Sequence, residues 1–165
     1  MEIVHILTDR QLCDLEMIMN DGFYPLKGFL NESDYISVVY NMRLKDGTLW
    51  PIPINLDVDY NFILNIKLND TIILKDKYNN PLASLYIESI YKPDKKIEAF
   101  NVFGSEDDMN HPSIYYLYNS VKEYYIGGTI TKINDLIHHD FKELRITPKQ
   151  FKNYIKDNKI DNIVA

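Results

Sequence analysis

Residues 22–58, GFYPLKGFLNESDYISVVYNMRLKDGTLWPIPINLDV, decide how this chain is read. Asn31 is a strong helix N-cap, and Asp34, three residues on, places a carboxylate at the positive end of the helix dipole. Tyr35, Val38, Val39 and Met42 follow at helical spacing and predict the buried face of a short helix. Upstream, Pro25 and Gly28 predict a compact turn; downstream, Asp46-Gly47 predicts a tight one. Pro51 and Pro53 bracket Ile52, forcing extended backbone and removing two amide donors. Ile54, Leu56 and Val58 then alternate with Asn55 and Asp57, the period-two pattern of a half-buried strand.

The flanks add short elements of both kinds. Ile3–Leu7 is a strand-like run, and Thr8 with Gln11 has the spacing of a capping box opening a helix whose apolar face is Leu12, Leu15 and Met19. Gly22 is expected to end that helix in the left-handed conformation. A short helix within 60–68 leads to a turn at Asn69-Asp70, and strands at 71–75 and 82–91 are joined through Asn79-Asn80-Pro81. Further helices are predicted over 97–103, stopped by Gly104, and from Pro112 to about Asn119. Residues 124–137 contain Gly127-Gly128 and read as strand, bulge and strand. Thr147-Pro148-Lys149-Gln150 opens a last helix with Phe151, Tyr154 and Ile155 on its apolar face, and 160–165 is again strand-like. The fold class is therefore α+β: short helices around a small, antiparallel, barrel-like sheet.

At 165 residues the chain can bury a core of its own. The net charge of −6 and the scattered lysines argue against a generic RNA or anionic-membrane surface. A single cysteine, Cys13, excludes an internal disulfide and a cysteine-based metal site, and fits a reducing compartment. With no long apolar run and no signal-peptide pattern, a cytoplasmic location is expected.

The candidate chemistry is sparse. His138-His139-Asp140 would diverge on a strand, giving one packed and one solvated histidine. Asp107, Asp108 and His111 lack a full cation-ligand pattern and fit a polar loop before a helix. Cys13 has no base or cation close in sequence and is expected to be a packing residue. Arg43, Lys45 and Asp46 beside Trp50, the single tryptophan, leave two readings open: a charged turn tip over a core tryptophan, or a partner surface, since Arg and Trp are frequent interface anchors. No catalytic pair, cofactor loop or metal cluster stands out.

Several long motifs share a resemblance. LTDRQLCDLEMIMNDGFYPL, GFYPLKGFLNESDY, MRLKDGTLWPIPINLDV, LNDTIILKD, PLASLYIESIYKPDK, VFGSEDDMNHPSIYYLYN, EYYIGG and HHDFKELRITPKQF, in this order, resemble the N-terminal domain of the ATP sulfurylase (sulfate adenylyltransferase) family. The resemblance implies a PUA-like small β-barrel with flanking short helices over residues 1–159, and the first strand of a missing catalytic α/β domain at 160–165. In that family ATP and sulfate give adenylyl sulfate and pyrophosphate, the central step of sulfate assimilation. The groups that do this sit in the next domain, on a Gln-x-Arg-Asn-Pro segment and a His-x-x-His pair, neither of which occurs here. No catalytic, cofactor or metal residue can be carried over, and the chain alone is expected to be inactive. The implied partner is a catalytic domain or a homo-oligomer neighbour, with Arg43, Trp50, Ile160 and Ile163 as the expected contact residues. The alternative is a free-standing PUA-like module that binds RNA, a small ligand or a protein without catalysis.

Overall fold

The structure, a computed structural model, describes residues 2–107 and 110–162. Strand β1 (Val4–Ile6) leads into helix α1 (Asp9–Met19). The capping box forms: Thr8 Oγ1 accepts the Gln11 amide and Gln11 Oε1 accepts the Thr8 amide. The helix buries Gln11, Leu15 and Ile18, with Leu12 and Met19 only partly covered. It ends on Asn20, and Asp21, at φ 65°, takes the left-handed position expected of Gly22. After a cis Tyr24–Pro25 bond, Gly28 opens strand β2 (Gly28–Phe29) where a turn was expected.

Helix α2 (Glu32–Asn41) is capped by Asn31, whose Oδ1 accepts the Asp34 amide at 3.0 Å. Tyr35, Val38 and Val39 are buried as predicted. Met42 is instead the left-handed C-cap, with φ 52°, and is exposed, because ending the helix there swings its side chain off the buried face. Strand β3 (Leu56–Val58), helix α3 (Tyr60–Ile63), strand β4 (Thr71–Lys75), strand β5 (Pro81–Tyr91) and helices α4 (Lys95–Phe103) and α5 (Pro112–Asn119) follow near their predicted positions. Strand β6 (Tyr124–Lys132) completes the sheet, and helix α6 (Pro148–Asp157) carries the second capping box, Thr147 with Gln150.

Among the described residues the six strands form one sheet in the order β1-β4-β5-β6-β2, with β3 also on β6. The sheet is mixed, not wholly antiparallel, because β1 runs parallel to β4. Its buried face carries Leu56, Ile72, Leu74, Leu85, Ile87 and Ile126, all with no exposed surface. Each contributes about 1.5–3 kcal/mol of burial free energy.

Strand β6 bonds to β5, β3 and β2. It runs unbroken through Gly127 and Gly128, and residues 133–137 leave the sheet, correcting the expected strand–bulge–strand. The irregularity belongs to β5: Ile87 faces Gly128 and Ser89 faces Gly127, leaving Glu88 as the extra residue. The glycines answer to close approach of backbones. A Cβ on Gly28 would lie 1.8 Å from the Gly128 carbonyl oxygen, and one on Gly127 would lie 2.2 Å from that of Leu30.

Candidate functional site

The Arg43–Trp50 loop is a tight hairpin. Leu44 N donates to Thr48 O, Asp46 Oδ1 accepts the Thr48 amide, and Gly47 takes φ 91°. Arg43 is exposed, and its Nη1 donates to Gly47 O at 3.0 Å. Trp50 points the other way. Its ring meets Phe23 edge-on at 5.7 Å and packs against both large core clusters, with Nε1 sealed from water and lacking a hydrogen-bond acceptor. Arg43 and Trp50 therefore do not converge on a shared site.

Residues after the sheet expose many apolar side chains. Ile137, Phe141, Leu144, Ile146, Phe151, Tyr154 and Ile160 are all exposed. Helix α6 buries no residue, although Phe151, Tyr154 and Ile155 share one face. Contacts that tie this segment to the body include His138 Nε2 with Glu16 Oε1 on α1, and Lys152 Nζ at 5.1 Å from the Tyr24 ring centroid. Ile163, expected as a contact residue, and half of the predicted terminal strand (163–165) lie outside the described residues; 160–162 have no strand pairing.

A buried polar centre lies between α2, α4 and β6. Glu98 on α4 is only 6% exposed. Its Oε2 accepts Tyr35 Oη at 2.8 Å and Tyr125 Oη at 3.1 Å, and Tyr91 packs against both rings while donating its own hydroxyl to Leu30 O. Burial pushes the Glu98 carboxyl above the usual carboxylate range, against the two tyrosine donors. Burial and the nearby carboxylate push the Tyr35 and Tyr125 hydroxyls far above the ordinary tyrosine range, so both stay protonated. The sequence reading missed this centre; its one signal was the abundance of tyrosines, whose buried hydroxyls must find acceptors.

A small cleft of about 60 Å³ beside it is lined by Arg10, Asp14, Asp57, Tyr116 and Glu98, and Arg10 stacks 4.7 Å from the Tyr116 ring centroid. The Asp57 carboxylate is fully engaged: Oδ1 accepts Gln11 Nε2 and Oδ2 accepts the Lys122 amide, both at 2.7 Å. Through these bonds Asp57 ties β3 to α1 and to the start of the segment before β6.

Several of the remaining candidates also find structural partners. His138, half-buried, pairs with Glu16, while His139 is exposed and Asp140 holds Arg145. They sit on a loop, not a strand. His111 caps α5 by accepting the Ser113 amide at Nδ1; Asp108 lies outside the described residues. Cys13 is exposed, contrary to its expected packing role, because it falls on the solvent side of α1, away from Gln11, Leu15 and Ile18. Among the described residues no group of three or more His, Cys, Asp or Glu is placed to hold a metal ion, and no helix is long and apolar enough to cross a membrane.

Comparison with known proteins places this architecture. A family model described as a PUA-like domain matches residues 3–135, ending where the chain leaves the sheet. The sulfate adenylyltransferase of Saccharomyces cerevisiae is 48% identical over 99% of this chain and 32% of its own length. That of Gibberella zeae is 47% identical over 96% of this chain and 28% of its own length. The chain thus spans about a third of the curated relatives it matches. A solved hexameric APS kinase from Thiobacillus denitrificans shares the fold, with a TM-score of 0.71 at 22% identity, covering 96% of this chain and 27% of that one. The chain belongs to the PUA-like domain family, and it matches the N-terminal domain of the sulfate adenylyltransferases, not their catalytic part.

Proposed function

We propose that the chain acts as the non-catalytic PUA-like domain of a sulfate adenylyltransferase working in cytoplasmic sulfate assimilation. It buttresses a separate α/β domain that joins sulfate to the AMP part of ATP. One observation carries this: the exposed apolar side chains of Phe141, Leu144, Ile146, Phe151 and Tyr154 lie beyond the residues the family model matches. An apolar helix face of this kind is stabilised by covering it with a partner surface. In this reading the domain boundary falls near residue 159, residues 160–165 lead into the catalytic unit, Ile160 lies at that contact, and the exposed Arg43 faces a partner elsewhere while Trp50 serves the core. The engagement of Glu98 and Asp57 by internal donors supports a structural role. The hexameric solved neighbour supports placement within an oligomer.

The test has two arms. The pure chain, given ATP and sulfate, should release no pyrophosphate; turnover would overturn the non-catalytic assignment. The remainder of the yeast relative, co-expressed in trans, should co-purify with the chain and lose it with Phe151→Glu plus Tyr154→Glu. Failure to co-purify, or indifference to both changes, would overturn the contact surface.

A further inference from the structure

A cationic cleft opens where strand β5 hands over to helix α4. Lys92, Lys95 and Lys96 line it, with Pro93 and, from α5, Tyr118 beside them. Its volume, about 750 Å³, lies in the range of small-molecule sites.

The three ammonium groups are short of counter-charge. Among the described residues none of them is in an ion pair with a carboxylate. The Asp94 carboxylate, nearest in sequence, is committed to the backbone: its Oδ1 accepts the Lys96 and Ile97 amides at 3.0 and 3.1 Å and so caps α4. Lys95 and Lys96 are the first two residues of that helix, at the positive end of its dipole, where cations are unfavourable. Such breaches of local preference collect at functional positions. Two of the lysines are also held in place. Lys92 Nζ lies 5.5 Å from the Tyr124 ring centroid, and Lys95 Nζ donates to Val121 O at 2.5 Å. Burial, with Lys122 adding repulsion, sets the Lys95 ammonium below the ordinary lysine range, although Asp57, Glu98 and Glu123 oppose the shift. A bound anion would offset both the burial and the repulsion.

The lining fits a ligand of two parts. Clustered lysines suit a diphosphate, each donating charge-assisted hydrogen bonds to its oxygens. Pro93, Tyr118 and the lysine stems offer a surface to a flat, apolar body such as a nucleobase. A long polyanion fits worse: Glu123 also lines the cleft, and the chain's net charge of −6 repels a nucleic-acid backbone. We propose that this cleft binds a nucleoside diphosphate, with Lys92, Lys95 and Lys96 on the phosphates and Pro93 and Tyr118 against the base. The site shares no residue with the apolar segment 137–160 and does not rest on the sulfurylase reading.

A 1H–15N NMR titration of the 165-residue chain with ADP, at low salt, tests it. Saturable binding with a Kd of about 1 mM or tighter is expected, with the shifted amide signals centred on residues 92–96 and 118–123. Pyrophosphate and adenosine, each carrying one half of the ligand, should bind at least about tenfold more weakly than ADP. Lys92→Ala and Lys96→Ala, both at exposed positions, should each weaken ADP binding about tenfold, the loss of one charge-assisted hydrogen bond. Glu123→Gln, which removes a repelling carboxylate, should tighten it, and Lys149→Ala on α6 should leave it unchanged. Circular dichroism and urea unfolding establish that each variant remains folded. Absence of saturable shifts overturns the proposal, as does ADP binding no tighter than either half, or a loss in Lys149→Ala equal to that in Lys96→Ala.

Discussion

Removing the two hydroxyls that solvate Glu98 gives a stringent test of the buried centre. Glu98 Oε2 receives Tyr35 Oη at 2.8 Å and Tyr125 Oη at 3.1 Å in a site almost closed to water. A hydrogen bond to a charged group contributes about 1.5–3 kcal/mol. Tyr125→Phe, which leaves the shorter bond in place, should cost about 1.5 kcal/mol, and Tyr35→Phe about 2 kcal/mol. For a chain of this size each kcal/mol lowers Tm by about 2–4 °C. The double variant leaves the carboxylate without either donor and should cost more than the two single changes together, toward the upper end, ~5 kcal/mol, of the cost of an uncompensated buried charge.

The pH dependence has a definite sign. The folded carboxyl already holds its proton more tightly than the unfolded one, because burial opposes the charge. Its stabilising contribution is therefore fully present below the unfolded value of 4.5 and is lost as pH rises through the folded value. Losing the tyrosine donors raises the folded value further, so the double variant should lose stability more steeply between acid and neutral pH. Glu98→Gln should remove that component of the slope. Urea unfolding followed by circular dichroism at several pH values reads all of this. Additive single effects together with an unchanged pH slope would refute the reasoning.

Three further outcomes are expected. Gly127→Ala should prevent a stable fold, since its Cβ would lie 2.2 Å from Leu30 O, a rigid backbone atom; soluble yield and thermal unfolding check it. Asp57→Asn should cost about 1–3 kcal/mol in urea unfolding, because either amide orientation sets an NH2 against Gln11 Nε2 or the Lys122 amide. Native protein should react with one equivalent of a thiol reagent without denaturant, since Cys13 is exposed, and a sealed thiol would contradict its placement on α1.

Much of the helical layout was legible because its signals are local. Thr8 with Gln11, Asn31 with Asp34, and Thr147 with Gln150 fix helix starts within four residues of chain, and each forms as read. The glycines were harder. Gly28 and Gly127 look like turn or bulge residues, yet each is small because backbone about a hundred residues away presses on it, and no local pattern reports that. The parallel pairing of β1 with β4 is non-local in the same way. Glu98 was invisible because a charged residue on a short helix reads as solvent-facing; only the two tyrosine hydroxyls that donate to it make its burial tolerable. Trp50 stood out correctly as unusual, but whether it faced core or partner depended on Phe23, brought to it by the turn between.

The position of β6 has a consequence for how the chain assembles in time. Strands β2 and β3 are made early, yet both take their sheet partner from residues 124–129, so Phe29 waits for Gly128, some hundred residues later in synthesis. Such distant pairings slow folding, since a long loop must close before any contact rewards it. On the ribosome the N-terminal half holds unpaired strands until β6 emerges, and only then can the sheet be completed. A nascent chain stalled before residue 124 should therefore remain protease-sensitive, while one stalled with residue 135 clear of the exit tunnel should already resist.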